Sequence, residues 1–106
     1  MASSKSYLDF ILEQLSLLDD VSYRAMMSEY IIYYHGKVIG GIYDDRFLVK
    51  DTKGARELMP LAEMELPYEG AKDMLMVDDL ENKEFLRDLF DVMYPELPAP
   101  KAKKKK

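Results

Sequence analysis

The chain has 106 residues, enough for one domain with one hydrophobic core. Hydrophobic residues make up 48% and charged residues 33%, a balance that folds rather than stays disordered. With no cysteine and a single histidine, His35, the chain excludes disulfides, thiol chemistry, Cys-ligated zinc, iron–sulfur clusters and multi-histidine metal sites.

The net charge of −5 is unevenly placed. Residues 101–106 hold five lysines; without them, ten basic residues face 20 acidic ones, a body charge of −10. Such a body repels phosphate backbones unless its cations cluster. No apolar run approaches the ~20 residues that span a bilayer, and the N-terminus lacks a signal-peptide pattern. A cytoplasmic protein with no membrane partner is the expectation.

In chain order, Tyr7, Leu8, Ile11, Leu12, Leu15 and Leu18 predict an amphipathic helix over 4–18, capped by Ser3 or Ser4. Asp19-Asp20 reads as the loop leading out. Val21 to Met27 is a strand candidate. Residues 30–50, YIIYYHGKVIGGIYDDRFLVK, form a meander divided at His35-Gly36 and Asp44-Asp45, two-residue turns that need positive φ. These turns set Tyr33 opposite Val38, Ile31 opposite Gly40, Ile42 opposite Phe47 and Gly40 opposite Val49. By alternation, Ile31, Tyr33, Val38, Gly40, Ile42, Phe47 and Val49 share the face that packs on helices. The other face carries Tyr30, Ile32, Tyr34, Lys37, Ile39, Gly41, Tyr43, Arg46, Leu48 and Lys50.

Thr52 or Asp51 caps a short helix through Met59, closed by Pro60. Leu66-Pro67-Tyr68 reads as a short edge piece and Asp73 to Val77 as a strand. Asp78, with Glu81 three residues on, opens the last helix like a capping box. Phe85, Leu86, Leu89, Phe90 and Met93 form its buried stripe, and Pro95 closes it. The fold expected is two-layer α+β, an antiparallel sheet with helices on one face, ordered α-β(3-4)-α-β(1-2)-α. Residues 1–98 form the single domain, and 99–106 a flexible Lys-rich tail.

The run Met26 to Lys50, with its Gly-Gly strand and the Asp44-Asp45-Arg46 turn, resembles the N-terminal domain of the TfoX/Sxy family. Pro67-Tyr68, the Met74–Asp79 strand and the closing helix resemble it in order as well, over about residues 5–98. The resemblance implies a secretion-chaperone-like α+β fold and a transcriptional co-regulator of natural competence and DNA-uptake genes. It brings no catalytic motif. Full-length members carry a second, helical domain that this sequence does not reach. Ser28-Glu29 stands where members often have glycine after the Met.

No motif in the chain calls for an enzyme. The turn position of His35 makes it a structural, exposed residue. The acidic pairs Asp19-Asp20, Asp44-Asp45 and Asp78-Asp79 fit turns and caps, without metal-loop spacing. Gly40-Gly41 lies inside a strand, where it permits a bulge or a close approach, not a phosphate loop. Met59, Met74, Met76 and Met93 read as core fillers. Tyr30, Tyr34 and Tyr43 beside Lys37, Arg46 and Lys50 make the candidate partner surface, for a protein or a second copy. The alternative is nucleic-acid contact through that face and the basic tail. No catalytic, metal or cofactor-binding residue is expected, and no small molecule is indicated.

Overall fold

The computed structural model describes residues 5–26, 29–67 and 72–97. Among these, α1 (Lys5–Gln14) leads into β1 (Val21–Met26), β2 (Glu29–Tyr34), β3 (Lys37–Ile42) and β4 (Phe47–Val49). Then come α2 (Lys53–Leu58), β5 (Met64–Glu65), β6 (Met74–Met76), α3 (Lys83–Met93) and a 3-10 turn, Tyr94–Glu96. The six strands form one sheet in the order β1-β2-β3-β4-β6-β5, and every pairing is antiparallel. The buried faces of α1, α2 and α3 share one core with inward residues of the sheet, so the architecture is two-layer α+β as expected.

Both tight turns form at the expected residues. His35 and Gly36 take φ of 50° and 82°, and Asp44 and Asp45 take 55° and 56°. Two consecutive positive φ values match the twist of a two-residue hairpin. Tyr43 and Arg46 close the second turn with reciprocal backbone bonds of 2.9 and 3.0 Å. The expected pairs Tyr33–Val38, Ile42–Phe47 and Gly40–Val49 are all present.

Between them the register slips by one. Ile31 pairs with Gly41 and Ile32 with Gly40, so Ile39 is an extra residue bulged against β2. The two faces expected from strict alternation are therefore exchanged along β2. Tyr30, Ile32 and Tyr34 turn toward the helices with Ile39, Ile42, Phe47 and Val49. Ile31, Tyr33 and Val38, expected in the core, lie on the opposite side and stay half-exposed. A one-residue insertion flips every side chain beyond it, and alternation alone does not see it.

Other boundaries differ in instructive ways. Helix α1 stops at Gln14, and the i+3 bonds Ser16 N–H to Glu13 O and Leu18 N–H to Leu15 O carry the stripe on as tight turns. Its expected caps, Ser3 and Ser4, lie outside the described residues. Thr52 caps α2 as expected, its Oγ1 accepting from Ala55 N–H at 3.1 Å. The short edge strand is Met64–Glu65, not 66–68; Tyr68 lies outside the described residues. Helix α3 begins at Lys83, not Asp78. Asn82 Oδ1 accepts from Phe85 N–H at 3.1 Å, while Leu80 N–H bonds to Asp78 O in a turn. The carboxamide thus does the capping work expected of Asp78.

Leu8, Ile11, Ile32, Ile39, Ile42, Leu86, Leu89, Phe90 and Met93 are all fully buried. Each such side chain contributes roughly 1.5–3 kcal/mol of apolar burial. The tightest point is Gly40, where an added Cβ would run into the Leu48 carbonyl oxygen and sit 2.9 Å from Val49 Cα. Both neighbours are backbone and cannot swing away. Gly40→Ala should cost about 3 kcal/mol through this overpacking, read as a lower urea midpoint, whereas Leu58→Ala, on an exposed side chain, should change it far less.

Candidate functional site

The six residues expected to form one open aromatic-basic surface are divided by the fold. Tyr30 lies half-buried on the helix side, edge-on to Tyr23 at 6.0 Å. Tyr34 is buried in the core, edge-on to Phe90 at 5.5 Å and Tyr94 at 5.7 Å. Its hydroxyl donates to Asp91 Oδ1 at 2.8 Å, joining β2 to α3. Lys37 follows it to the helix side, donating to Tyr94 O at 3.4 Å and Leu97 O at 3.3 Å. The ammonium also stands 4.3 Å over the Tyr94 ring. A cation at the carbonyl end of α3 suits the helix dipole.

Arg46 is held in place too. It donates to Tyr43 O at 3.1 Å, to Glu65 Oε1 at 2.9 Å and to Leu66 O at 3.2 Å. The guanidinium thereby fastens the β3–β4 turn to the β5 edge. Arg46 opposes Tyr43 across the turn, one step beyond the core pair Ile42–Phe47, so Tyr43, Arg46 and Lys50 lie on the uncovered side of the sheet as expected. The Tyr43 ring lies across Gly41, where an added Cβ would meet Cε2 at 2.7 Å. Gly41 therefore supplies the space into which the ring folds.

The uncovered face itself is built from residues that alternation had assigned to the core. Ile31, Tyr33 and Val38 line it from β2 and β3, and Met74 continues it on β6. A groove of about 730 Å³ runs along it, walled by Ile31, Val38, Tyr43, Met64, Pro67 and Met74. Lys50, Asp51, Lys72 and Asp73 bring charge of both signs to it. The Asp51 carboxylate also binds Arg56 Nη2 at 2.7 Å, and that bond holds its pKa below the usual carboxylate value. The sequence signal for this face was Gly40-Gly41, which marks the bulge that turns β2 over.

A second polar cluster sits at the far end of the sheet. His35 Nδ1 lies 3.0 Å from Asp20 Oδ2, and Nε2 lies 3.9 Å from Asp19 Oδ1. Its ring also contacts Tyr34 and Tyr94, with centroids at 4.3 and 5.5 Å. This arrangement ties the α1–β1 loop to the β2–β3 turn. Among the described residues, no group of three His, Asp or Glu side chains could hold a metal ion. No helix among them is long and apolar enough to cross a membrane.

Burial, with the Asp91 bond second, pushes the Tyr34 hydroxyl up to about 12 from 10.0. A phenol whose folded pKa exceeds its unfolded value adds stability that is complete below pH 10 and is lost as pH rises toward 12. Denaturation across pH 9 to 12 should show this loss in the wild type and a shallower one in Tyr34→Phe. At neutral pH the same variant should be about 1 kcal/mol less stable, for the lost hydrogen bond.

No family model matches the chain, and no solved structure matches it. It is similar to the "uncharacterized 12.7 kDa protein in trpE 5′ region" of Spirochaeta aurantia, with 38% identity over 107 residues. The match spans all of this chain and 93% of that protein. The chain belongs to the same family as this Spirochaeta aurantia protein.

Proposed function

We propose that this chain is a non-enzymatic, cytoplasmic protein-interaction domain serving as a transcriptional co-regulator, in keeping with its resemblance to the TfoX/Sxy N-terminal domain. The observation that carries the interaction reading is the uncovered sheet face. Ile31, Tyr33, Val38 and Met74 are half-exposed on it, around the buried ring of Tyr43. Apolar and aromatic side chains at the centre with charges beside them match the composition of interface cores and rims. The methionine lets such a surface adapt to its partner. The link to competence genes rests on the resemblance alone.

Nucleic acid is the less favoured ligand of this surface. Two of the cations counted for it, Lys37 and Arg46, are already bound to acceptors within the protein. The basic tail lies outside the described residues.

Ile31→Lys with Val38→Lys places two ammonium groups at the centre of the face, on the side away from the helix-side core cluster. The double variant should fold as the wild type does, judged by far-UV circular dichroism. In the native cell it should reproduce the transcript profile of a deletion strain while accumulating to the wild-type level. Unchanged transcription on deletion, or full activity of the double variant, would overturn the proposal.

A further inference from the structure

The sheet has two unlike edges. The β5 edge is two residues long and is followed by Leu66 and Pro67, which blunt it. The β1 edge runs for six residues, VSYRAM, with Ser22, Tyr23, Arg24 and Ala25 all exposed. Its hydrogen-bonding phase is fixed by one contact, His35 N–H to Asp20 O at 3.0 Å. Asp20, Ser22 and Arg24 therefore direct their backbone groups toward β2. Val21, Tyr23 and Ala25 direct theirs away from the sheet. No described residue pairs with those three N–H and three C=O groups.

We propose that β1 pairs antiparallel with β1 of a second copy of this chain, about a two-fold axis at Tyr23, joining two six-stranded sheets into one. Three constraints select this register. First, the axis sets Tyr23 opposite Tyr23 and Val21 opposite Ala25, so all the outward groups of both strands bond, six hydrogen bonds in total. An axis at Ser22 would form only four. Second, the faces agree. Tyr23 lies on the helix side, against Tyr30, so the two Tyr23 rings meet there. Beside them runs a groove of about 510 Å³ between α1 and β1, lined by Leu12, Leu15 and Leu18.

The third constraint is charge. The body of each copy carries −10 apart from its tail lysines, so two copies repel over most of their surface. From Val21 to Met26 there is no acidic residue, and Arg24 is the one charge. An axis at Arg24 would oppose two guanidinium groups. The axis at Tyr23 sets each Arg24 opposite the Ser22 of the other copy. This pairing uses the edge and not the face, so it stands or falls apart from the co-regulator reading.

Sedimentation equilibrium of the full chain from about 1 to 200 μM should show a monomer–dimer equilibrium, the micromolar range expected of a modest interface. Ala25→Pro removes an N–H that points outward and leaves the bonds to β2 intact. It should weaken the dimer at least about tenfold. Ser22→Asp sets a carboxylate opposite Arg24 twice in the dimer, and should tighten it several-fold at low salt. A monomer at every concentration would refute the pairing, leaving the edge to a strand from another protein. An undiminished Ala25→Pro dimer, or a Ser22→Asp dimer no tighter than wild type, would refute it as well.

Discussion

The backbone approach of β4 to β3 at Gly40 is the constraint on which the rest of the sheet depends. The Leu48 carbonyl and Val49 Cα sit where a side chain at residue 40 would begin. That closeness holds the Gly40–Val49 pair while Ile39 bulges on the other side of the strand, against β2. From Gly40 onward β3 obeys the phase set by the Asp44-Asp45 turn; before Ile39 it obeys the phase set by His35-Gly36. The bulge reconciles two hairpins whose turns would otherwise demand opposite faces. Without it, either the β2 residues Ile32 and Tyr34 or the β4 residues Phe47 and Val49 would leave the core.

Once β2 is turned, its polar neighbours follow. Tyr34 enters the core with a hydroxyl that must be satisfied, and Asp91 on α3 meets it. Lys37, paired with Tyr34 across the turn, is carried to the carbonyl end of α3 and to the Tyr94 ring. His35 completes this end of the molecule by meeting both aspartates of the α1–β1 loop. One register decision thus assigns three side chains, Tyr34, His35 and Lys37, to holding this end of the molecule together. Each is worth little alone, but together they fix where α3 ends against the sheet.

The fold was largely legible in the sequence, and the candidate site was not. Turns, caps and helical stripes are local: two consecutive positive-φ positions, Thr52 before Lys53, and the Phe85-to-Met93 spacing each act within a few residues. The α+β order follows from them. The face assignment is nonlocal, because alternation propagates from a turn until something interrupts it. Gly40-Gly41 announced that an interruption was possible, but not which neighbouring residue would be extra. The same limit moved the start of α3. Asp78 and Asn82 are both good caps, and the choice between them rests on where the chain leaves β6.

The bulge selects which apolar row of β2 faces outward. A sheet with one covered side normally pairs inward apolar with outward polar residues. Here β2 reads EYIIYY and β3 reads KVIGGI, apolar on both sides. Whichever phase the turns imposed, one row of large hydrophobic residues would face outward. Ile31 and Val38 lie in that row, on the side away from the helices. They are the residues on which the proposed partner surface rests, since a contact there would remove their apolar area from water.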